Sequence, residues 1–472
     1  MEFRIAEKRD TAAVKRLWDY CFETEDTPFF KYYFEKAYEP EHTLVGYEGN
    51  QLASMVHLRQ YDINVRGAVL PMSYMVGVAT DPVARRGGIG GRLLTHALEE
   101  LRQRKQGITI LMPSKAAFYQ QYGWDLYAHQ WVQTLPLEEL RPLTDKTMEF
   151  GLLNDVSEWT LLAPVYEAYT KHTSGYAVRG EKEWTRLLES LFAEGVRVAY
   201  VRAPLNDGTD SYSMAVPNGD TKVATQVKAA SQATAPTHAL GPIEGYAMYR
   251  LGGSEIPVTE FIYTTRRAQR GLLNYFYNHR SQGDSIRWNE GLGDESYIFH
   301  PNGKSGHTTM PYMMSRIVDV PLALGQVPVQ AKAAKSLLAK GISKLLIRVN
   351  DTLATWNDGV YELTITPDYK IVAQQVEEHA PDEAIPTITV GGLGLILMGR
   401  MTASQLVFEG KLTVPMTNSN QGASTLGHAL ITDLDDVAVV SGESLGSISS
   451  KYVVAALDAL YPKQTTFINE WW

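Results

Sequence analysis

The sequence predicts an α/β chain of the α+β kind, and three observations carry that expectation. Short β-branched runs recur along the chain, and between them apolar residues fall three and four apart, the spacing of one helix face. The sharpest join is VGVATDPVARRGGIGGRLL, from Val76 to Leu94: an apolar strand breaks at Asp81-Pro82, crosses a glycine cluster and enters a helix with Ile89, Leu93, Ala97 and Leu101 on one side. Composition agrees, since 44% hydrophobic and 21% charged residues are ordinary for a globular protein, and 472 residues leave room for roughly two to four domains.

The first unit, residues 1–145, opens with a strand at Phe3–Ile5 and a helix through Val14, Leu17 and Trp18. An aromatic, acidic stretch (Tyr20–Tyr38) precedes strands from Leu44 to Val78, the glycine turn and its helix. A strand at Ile108–Met112 then leads into PSKAAFYQQYGW, residues 113–124, and Pro142-Leu143-Thr144-Asp145 marks a boundary. The second unit, 146–307, hints at a repeat of the first. Its strands at Arg197–Val201, Gly245–Arg250 and Ile256–Tyr263 lead to Thr265-Arg266-Arg267-Ala268-Gln269-Arg270-Gly271-Leu272-Leu273, which echoes the earlier turn with a single glycine. Between those strands, Ala203–Gly241 is rich in Ala, Thr, Ser, Gln, Gly and Pro and reads as an insertion, not a domain. The third unit, 308–472, begins near MMSRIVDVP and continues through strands at Lys344–Val349, Gly359–Thr366 and Tyr369–Gln375. In its Gly391–Gly399 run, Leu397 stands where a third nucleotide-binding glycine would be needed, so a small-residue helix packed on a sheet is expected.

The glycine turn carries the chemistry. A strand that feeds a glycine turn at a helix N-terminus presents unpaired N–H groups and the positive end of the helix dipole, which welcome an anionic pyrophosphate. Glycine lets phosphate oxygens approach where a Cβ would stand in the way, and Arg85 and Arg86 add forked donors for a further phosphate. A P-loop would need Lys-Ser/Thr after its last glycine, but Arg92 and Leu93 follow Gly91; a dinucleotide fingerprint from Gly88 would need glycine at Leu93. What remains is Arg85-x-x-Gly88-x-Gly90.

That pattern resembles the coenzyme A pyrophosphate loop of GCN5-related N-acetyltransferases (GNAT). With FYQQYGW, MMSRIVDV and LGLILMG, nearly the whole chain resembles the enhanced intracellular survival (Eis) family. The resemblance implies tandem GNAT-like domains, the second degenerate, followed by a sterol-carrier-protein-like α/β domain. It implies acetyl-CoA as cosubstrate, held by Val76, Gly77, Val78, Arg85, Arg86, Gly87, Gly88, Ile89, Gly90 and Gly91. Tyr119 matches the tyrosine near the coenzyme sulfur, and the terminal carboxylate, here on Trp472, is threaded into the first domain as proton acceptor. Acceptors would be polycationic amines such as aminoglycosides or polyamines, met by Glu23, Glu25, Asp26, Phe29 and Glu470. The family also implies a homo-oligomer, a hexamer. The 203–241 insertion and the Trp471-Trp472 ending depart from its pattern.

A net charge of −9 argues against nucleic acid and suits a cationic acceptor. The lone Cys21 forms no intramolecular disulfide and is expected as a small buried group. His57, His96 and His129 are isolated and HExxH is lacking, so no metal is expected. The start, MEFRIAEKRD, has no apolar signal core and no stretch is long and apolar enough to span a bilayer, so no membrane and a cytoplasmic location are expected. In the implied reaction, full proton transfer from tyrosine to the leaving thiolate is uphill by roughly 2 kcal/mol at reference pKa values, which makes hydrogen-bond stabilisation as good a role. Other readings are acetylation of protein lysines, N-myristoyl transfer, and a non-catalytic acetyl-CoA sensor or lipid-binding protein.

Overall fold

The computed structural model describes residues 1–85, 87–204, 241–299, 307–377, 385–415 and 450–470. Arg86, Trp471, Trp472 and residues 205–240 of the insertion therefore lie outside the described residues.

The first unit runs β1 (Glu2–Ile5), α1 (Thr11–Cys21), α2 (Pro28–Tyr32), then β2 (Thr43–Glu48), β3 (Gln51–Val65) and β4 (Ala68–Thr80). Next come α3 (Ile89–Gln103), β5 (Ile108–Leu111), α4 (Ala116–Gln120) and β6 (Asp125–Pro136). The second unit repeats that order: β7 (Glu149–Leu152), α5 (Ala163–Thr170), short β8 (Thr173–Ser174) and β9 (Tyr176–Ala177), α6 (Glu181–Ala193), β10 (Arg197–Arg202), β11 (Ile243–Tyr249), β12 (Glu255–Tyr263), α7 (Arg266–Tyr277) and β13 (Ser285–Gly291). In both units an antiparallel meander ends in a helix whose next strand lies parallel to the last meander strand, β5 on β4 and β13 on β12.

One thirteen-stranded sheet joins the units, in the order β1-β2-β3-β4-β5-β14-β6-β13-β12-β11-β10-β7, with β9 added on β3. Here β14 (His307–Ile317), at the expected start of the third unit, lies within the large sheet between β5 and β6. It pairs with β5 on one side, Met314 opposite Leu111, and with β6 on the other, Met310 opposite Gln130. Its partners lie so far back in the chain that no local pattern announces them.

The third unit adds α8 (Val320–Gln326), α9 (Ala331–Ala339), β15 (Lys344–Asn350), β16 (Gly359–Ile365), β17 (Ile371–Val376), β18 (Thr387–Thr389), α10 (Val390–Met398), α11 (Ala403–Phe408), β19 (Leu412–Thr413), α12 (Ser450–Leu460) and β20 (Thr465–Thr466). Its own sheet runs β17-β16-β15-β18-β19. Every residue of α10 is buried, as an apolar, glycine-rich helix requires. A Cβ on Gly391 would meet Asp125 Oδ2 at 2.4 Å, so the missing side chain lets α10 lie directly on the large sheet. Arg66, on the β3–β4 turn, caps that helix by donating to the carbonyls of Ile396 and Leu397 at 2.7 and 2.9 Å.

α3 owes its place to one apolar stripe. Leu93, Leu94, Ala97, Leu98 and Leu101 are buried against Val56, Leu58 and Met75 of the sheet, each leucine contributing about 1.5–3 kcal/mol by leaving water. Because strand side chains alternate, His57, Arg59 and Tyr61 on β3 face the other way, toward α1 and α2.

Candidate active site

β4 leaves the sheet at a bulge. Met55 pairs with Ala79 and His57 with Val76, so Gly77 and Val78 together oppose Val56. Gly77 has φ +60, and a Cβ there would meet the Trp18 ring at 2.5 Å, so only glycine suits the bulge. β4 and β5 share one register row, Tyr74 with Ile110, and then part. Beyond that row no β5 residue pairs with the β4 backbone around Val76, Gly77 and Val78, where the sequence expected the coenzyme's arm.

Gly88 caps α3 with φ 69 and ψ 15, a left-handed conformation, and nothing stands within 4 Å of the Cβ it lacks. The first-turn N–H groups of a four-turn helix therefore face open space, a cradle that a side chain would fill. Gly87 and Gly88 are exposed and Ile89 is buried. Arg85 is exposed and donates from Nε to the Thr80 carbonyl at 3.1 Å, which draws the loop back onto the end of β4. Cys21, expected as a buried group, is only half-buried; burial raises its thiol pKa while Arg85 beside it pulls the other way.

The remaining glycines bind the two sequence motifs to each other. A Cβ on Gly90 would stand 3.2 Å from the Phe118 ring, and one on Gly91 the same distance from the Tyr122 hydroxyl, so α4 packs on bare backbone. Tyr119 is buried edge-on to Phe118 and Trp124, and burial pushes its hydroxyl up to about 12. The turn after α4 is braced from β14: the fully buried Arg316 donates to the Tyr122 carbonyl at 2.8 Å and pairs with Asp351 of the third unit at 2.7 Å.

The opposite face of the sheet does not gather the acidic residues expected to bind an acceptor. Glu25 is exposed, and Asp26 is exposed and takes a hydrogen bond from Thr24 at 2.6 Å. Glu23 is half-buried with Oε2 unpartnered, and burial, then Glu194, raises its pKa. Phe29 stacks on Tyr33, whose hydroxyl meets His57 Nδ1 at 2.6 Å. A cleft of about 580 Å³ opens nearby between α2 and α6, lined by Tyr32, Lys36, Glu181, Lys182, Arg186 and Glu189.

The chain's last described residues run into the seam between the units. β20 pairs in parallel with β8, and the Phe467 N–H continues onto the Ser174 carbonyl. Gln130 donates to the Ile468 carbonyl at 3.2 Å and to Asn469 Oδ1 at 2.9 Å. Arg179 forks onto Glu260 with two bonds of 2.8 Å and gives its Nε to Glu470 at 2.8 Å. Tyr246 and Asn469 also donate to Glu260, and the Tyr312 hydroxyl donates to the Glu470 carbonyl. Glu470, expected to contact the acceptor, is instead a buried anchor whose carboxylate is taken by Arg179. Burial raises its pKa against the pull of Arg179, whereas Arg179, Tyr246 and Asn469 together outweigh burial at Glu260 and lower its pKa. Sequence reading missed Arg179 and Glu260 because residues 179, 260 and 470 meet only in space. Trp472, the expected proton acceptor, lies outside the described residues, as does Arg86.

The second unit has the same opening but has filled it. β12 and β13 share register from Glu255 to Val258 and then part. Thr265 caps α7 by accepting the Ala268 N–H at 3.1 Å, and its arginines are used locally: Arg266 with Gln269 and Asp294, Arg267 with Thr147 and Asp145. Buried Glu290 takes hydrogen bonds from Gln133, Gln269, Ser296 and Tyr263, and Tyr263 also donates to Asp294. Burial, reinforced by Asp294, raises the Glu290 carboxyl to about 8.

Among the described residues no cluster of His, Cys, Asp and Glu could hold a metal ion, and no helix is long and apolar enough to cross a membrane. Against known families, an acetyltransferase (GNAT) domain matches residues 2–127, a second GNAT domain matches 221–317, and a sterol carrier protein domain matches 320–435. The mixed α/β fold is thus two GNAT domains and a sterol-carrier-type domain. No curated protein matches the chain. Solved structures similar over its whole length include a conserved protein from Enterococcus faecalis V583 described as a probable N-acyltransferase (19% identity, TM-score 0.73, 99% of that chain covered). A GCN5-related N-acetyltransferase from Anabaena variabilis (15%, 0.69, 100% of that chain) and Eis1 from Mycobacterium abscessus (16%, 0.63, 100% of that chain) share the fold too, each covering 100% of this chain.

Proposed function

We propose that this chain, an N-acetyltransferase built on two GNAT domains whose fold implies acetyl-CoA as donor, passes the acetyl group directly to a primary amine of a small molecule while both are bound to its first unit. The observation that carries the reading is Gly88: a left-handed glycine with empty space beyond it, at the head of α3, with Phe118 of α4, the neighbour of the buried Tyr119, packed against the same helix start.

In this reading the N–H groups from Gly87 to Gly91 receive the pyrophosphate, Arg85 and Arg86 a further phosphate, and the β4 backbone from Val76 to Val78 the pantetheine. Acetyl-CoA supplies the activated thioester. Holding amine and thioester side by side provides much of the rate. With its hydroxyl near 12, Tyr119 would give up its proton to a thiolate of reference pKa about 8.5 only at a cost of roughly 5 kcal/mol. Its role is therefore to donate a hydrogen bond to the developing thiolate and keep its own proton. The Trp472 carboxylate is the proposed proton acceptor. At a reference pKa of about 3.5 it cannot strip an ammonium of about 10, but it can take the proton of the far more acidic tetrahedral intermediate. The anchoring of Glu470 by Arg179, two residues before it, supports that role.

The acceptor class expected from the sequence, aminoglycosides or polyamines, draws support from the net charge of −9 and from the unpartnered Glu23 oxygen, and none from Glu25, Asp26 or Glu470. Membership of the enhanced intracellular survival family is supported by the order of the three domains. A homo-oligomer, a hexamer, and a cytoplasmic location belong to the same proposal, and light scattering of the purified chain tests the assembly.

The decisive experiment is calorimetric titration with acetyl-CoA, then product mass after incubation with kanamycin-like and spermine-like amines across a salt series. Saturable acetyl-CoA binding and acetylated small amines are expected, the second weakening as salt screens the charge. Acetyl-CoA binding with acetylation of protein lysines alone would replace the small-amine reading with a protein acetyltransferase.

A further inference from the structure

The face of β3 and β4 turned away from α3 carries polar atoms that the described residues leave unsatisfied. Arg59 lies opposite Tyr74 in the register, on the row where β4 parts from β5, and His57 lies two pairs further toward the bulge, opposite Val76. Arg59 is only 8% exposed, yet its Nε has no hydrogen-bond partner, and among the described residues its guanidinium forms no ion pair. Its neighbours are the rings of Tyr33 and Tyr61, at 5.5 and 5.9 Å. They soften the burial of a cation without neutralising it. His57 Nε2 and the Tyr74 hydroxyl, both buried on the same face, are likewise unpartnered. Burial, with Arg59 adding to it, lowers the His57 pKa to about 3, so the ring is neutral. The Tyr33 hydroxyl meets Nδ1 at 2.6 Å, and the tautomer of that pair sets whether Nε2 donates or accepts.

Arg59 Nε–H and the Tyr74 hydroxyl thus line one face with His57 Nε2, around a guanidinium that has no ion-pair partner among the described residues. A buried guanidinium without an ion pair is costly, and an anionic acceptor of hydrogen bonds answers both it and the hydroxyl. Glu470, the carboxylate whose charge Arg59 feels, gives its oxygen to Arg179 instead. The cleft between α2 and α6 carries Lys36, Lys182 and Arg186 beside Glu181 and Glu189, and Tyr32 on its wall feels the charge of Arg59.

Resting on the reading of the first unit as the acetyl-transferring one, we propose that the amine acceptor also carries an anionic group, a carboxylate or a phosphate, which Arg59 binds with His57 and Tyr74. The acceptor is then amphoteric, a departure from the polycationic class above that keeps its small primary amine, because a bare polycation lacks the group this site is built to hold.

The test is a matched set of primary amines on short alkyl spacers, ending in methyl, ammonium, carboxylate or phosphate, assayed with the wild-type chain and with Arg59→Met and Arg59→Lys. The wild type is expected to favour an anionic terminus over methyl by at least about tenfold in kcat/KM, carried by KM. The carboxylate and phosphate arms tell the two anions apart. Arg59→Met should collapse that ratio toward one and Arg59→Lys should restore part of it. Ammonium or methyl acceptors used as well as anionic ones would overturn the proposal and leave the acetyltransferase reading standing. So would an Arg59→Met loss of kcat falling equally on every acceptor, which would tie Arg59 to the reaction itself or to the chain's own terminus. If no amine in the set is acetylated, the small-amine reading fails, and the anion site is judged by melting. Free Arg59→Met should then melt no lower than wild type, since it removes a buried cation that has no ion pair among the described residues, and millimolar inorganic phosphate or 4-aminobutanoate should raise the melting temperature of wild type alone. A lower-melting variant, or no rise in the wild type, overturns the site.

Discussion

The helix that leaves each meander starts differently in the two halves of the large sheet. α3 begins on Gly88, left-handed and facing empty space, with glycines beneath it that admit only aromatic rings. α7 begins on Thr265, whose hydroxyl already accepts a first-turn N–H, and the space beyond holds Tyr263, Asp294 and Glu290. Both halves keep the parallel strand pair that parts part-way along. The scaffold of an anion site can therefore persist after the site is gone. A hydroxyl cap uses the donors, and carboxylates occupy the place a diphosphate would need.

The comparison breaks most directly at Gly88. Gly88→Glu puts a carboxylate in the open cradle and should weaken acetyl-CoA binding by at least about a hundredfold in calorimetry, through like-charge repulsion. Gly88→Asn, which tolerates the left-handed conformation, controls for backbone strain. Equal affinity in a folded Gly88→Glu chain would falsify the assignment of the cradle. The second half earns its keep elsewhere, in holding the tail. Arg179→Leu leaves Glu260 and Glu470 buried without their cation and should cost about 3–5 kcal/mol in chemical denaturation, with turnover falling alongside. An unchanged midpoint would mean the ion-pair network is dispensable.

The filled cavity of the second half should make stability depend on pH. The Glu290 carboxyl is raised to about 8 in the fold against 4.5 otherwise, so the folded state binds the extra proton between those values. Its contribution is whole below about pH 4.5 and is lost as pH climbs through 8, by roughly 2–3 kcal/mol once relaxation blunts the full shift. Glu290→Gln should flatten the melting temperature between pH 5 and pH 8.5 relative to wild type; parallel curves would show that Glu290 ionises freely. The smallest effect is expected at Thr265→Ala, which removes the cap of α7 for about 1 kcal/mol. It should confer no acetyl-CoA binding, because Asp294 and Glu290 remain. Measurable binding would show that the cap alone separates the two halves.

What the sequence revealed of this site depended on how local the contacts are. Gly88, Gly90 and Gly91 were legible because a strand, a turn and a helix start follow one another within twenty residues, and Phe118 and Tyr122 because they sit in the next short helix and the turn that ends it. The anchoring of Glu470 left no such trace: its partner Arg179 lies nearly three hundred residues back, so nothing near the end of the sequence announced the ion pair. His57 and Arg59 left no signal at all, since an alternating polar residue in a strand usually points to solvent, and here a second layer of helices and tyrosines covers that face. The α+β class, the meanders and the glycine-rich helix followed from periodicity; the insertion of β14 between β5 and β6 did not, because strand partners about two hundred residues apart leave no periodic trace.

That same strand sets a timetable for the growing polypeptide. β5 and α4 leave the ribosome early, but the edge that β14 completes stays open until about two hundred more residues have been made, a delay of roughly 10–40 s at cellular synthesis rates. Throughout that wait the nascent first unit offers one edge of Ile108–Leu111, a strand wholly buried in the finished fold, as a template for pairing with neighbouring chains. The protein thus depends on something to shield that edge during synthesis, and excising its first 145 residues for separate study would make the exposure permanent.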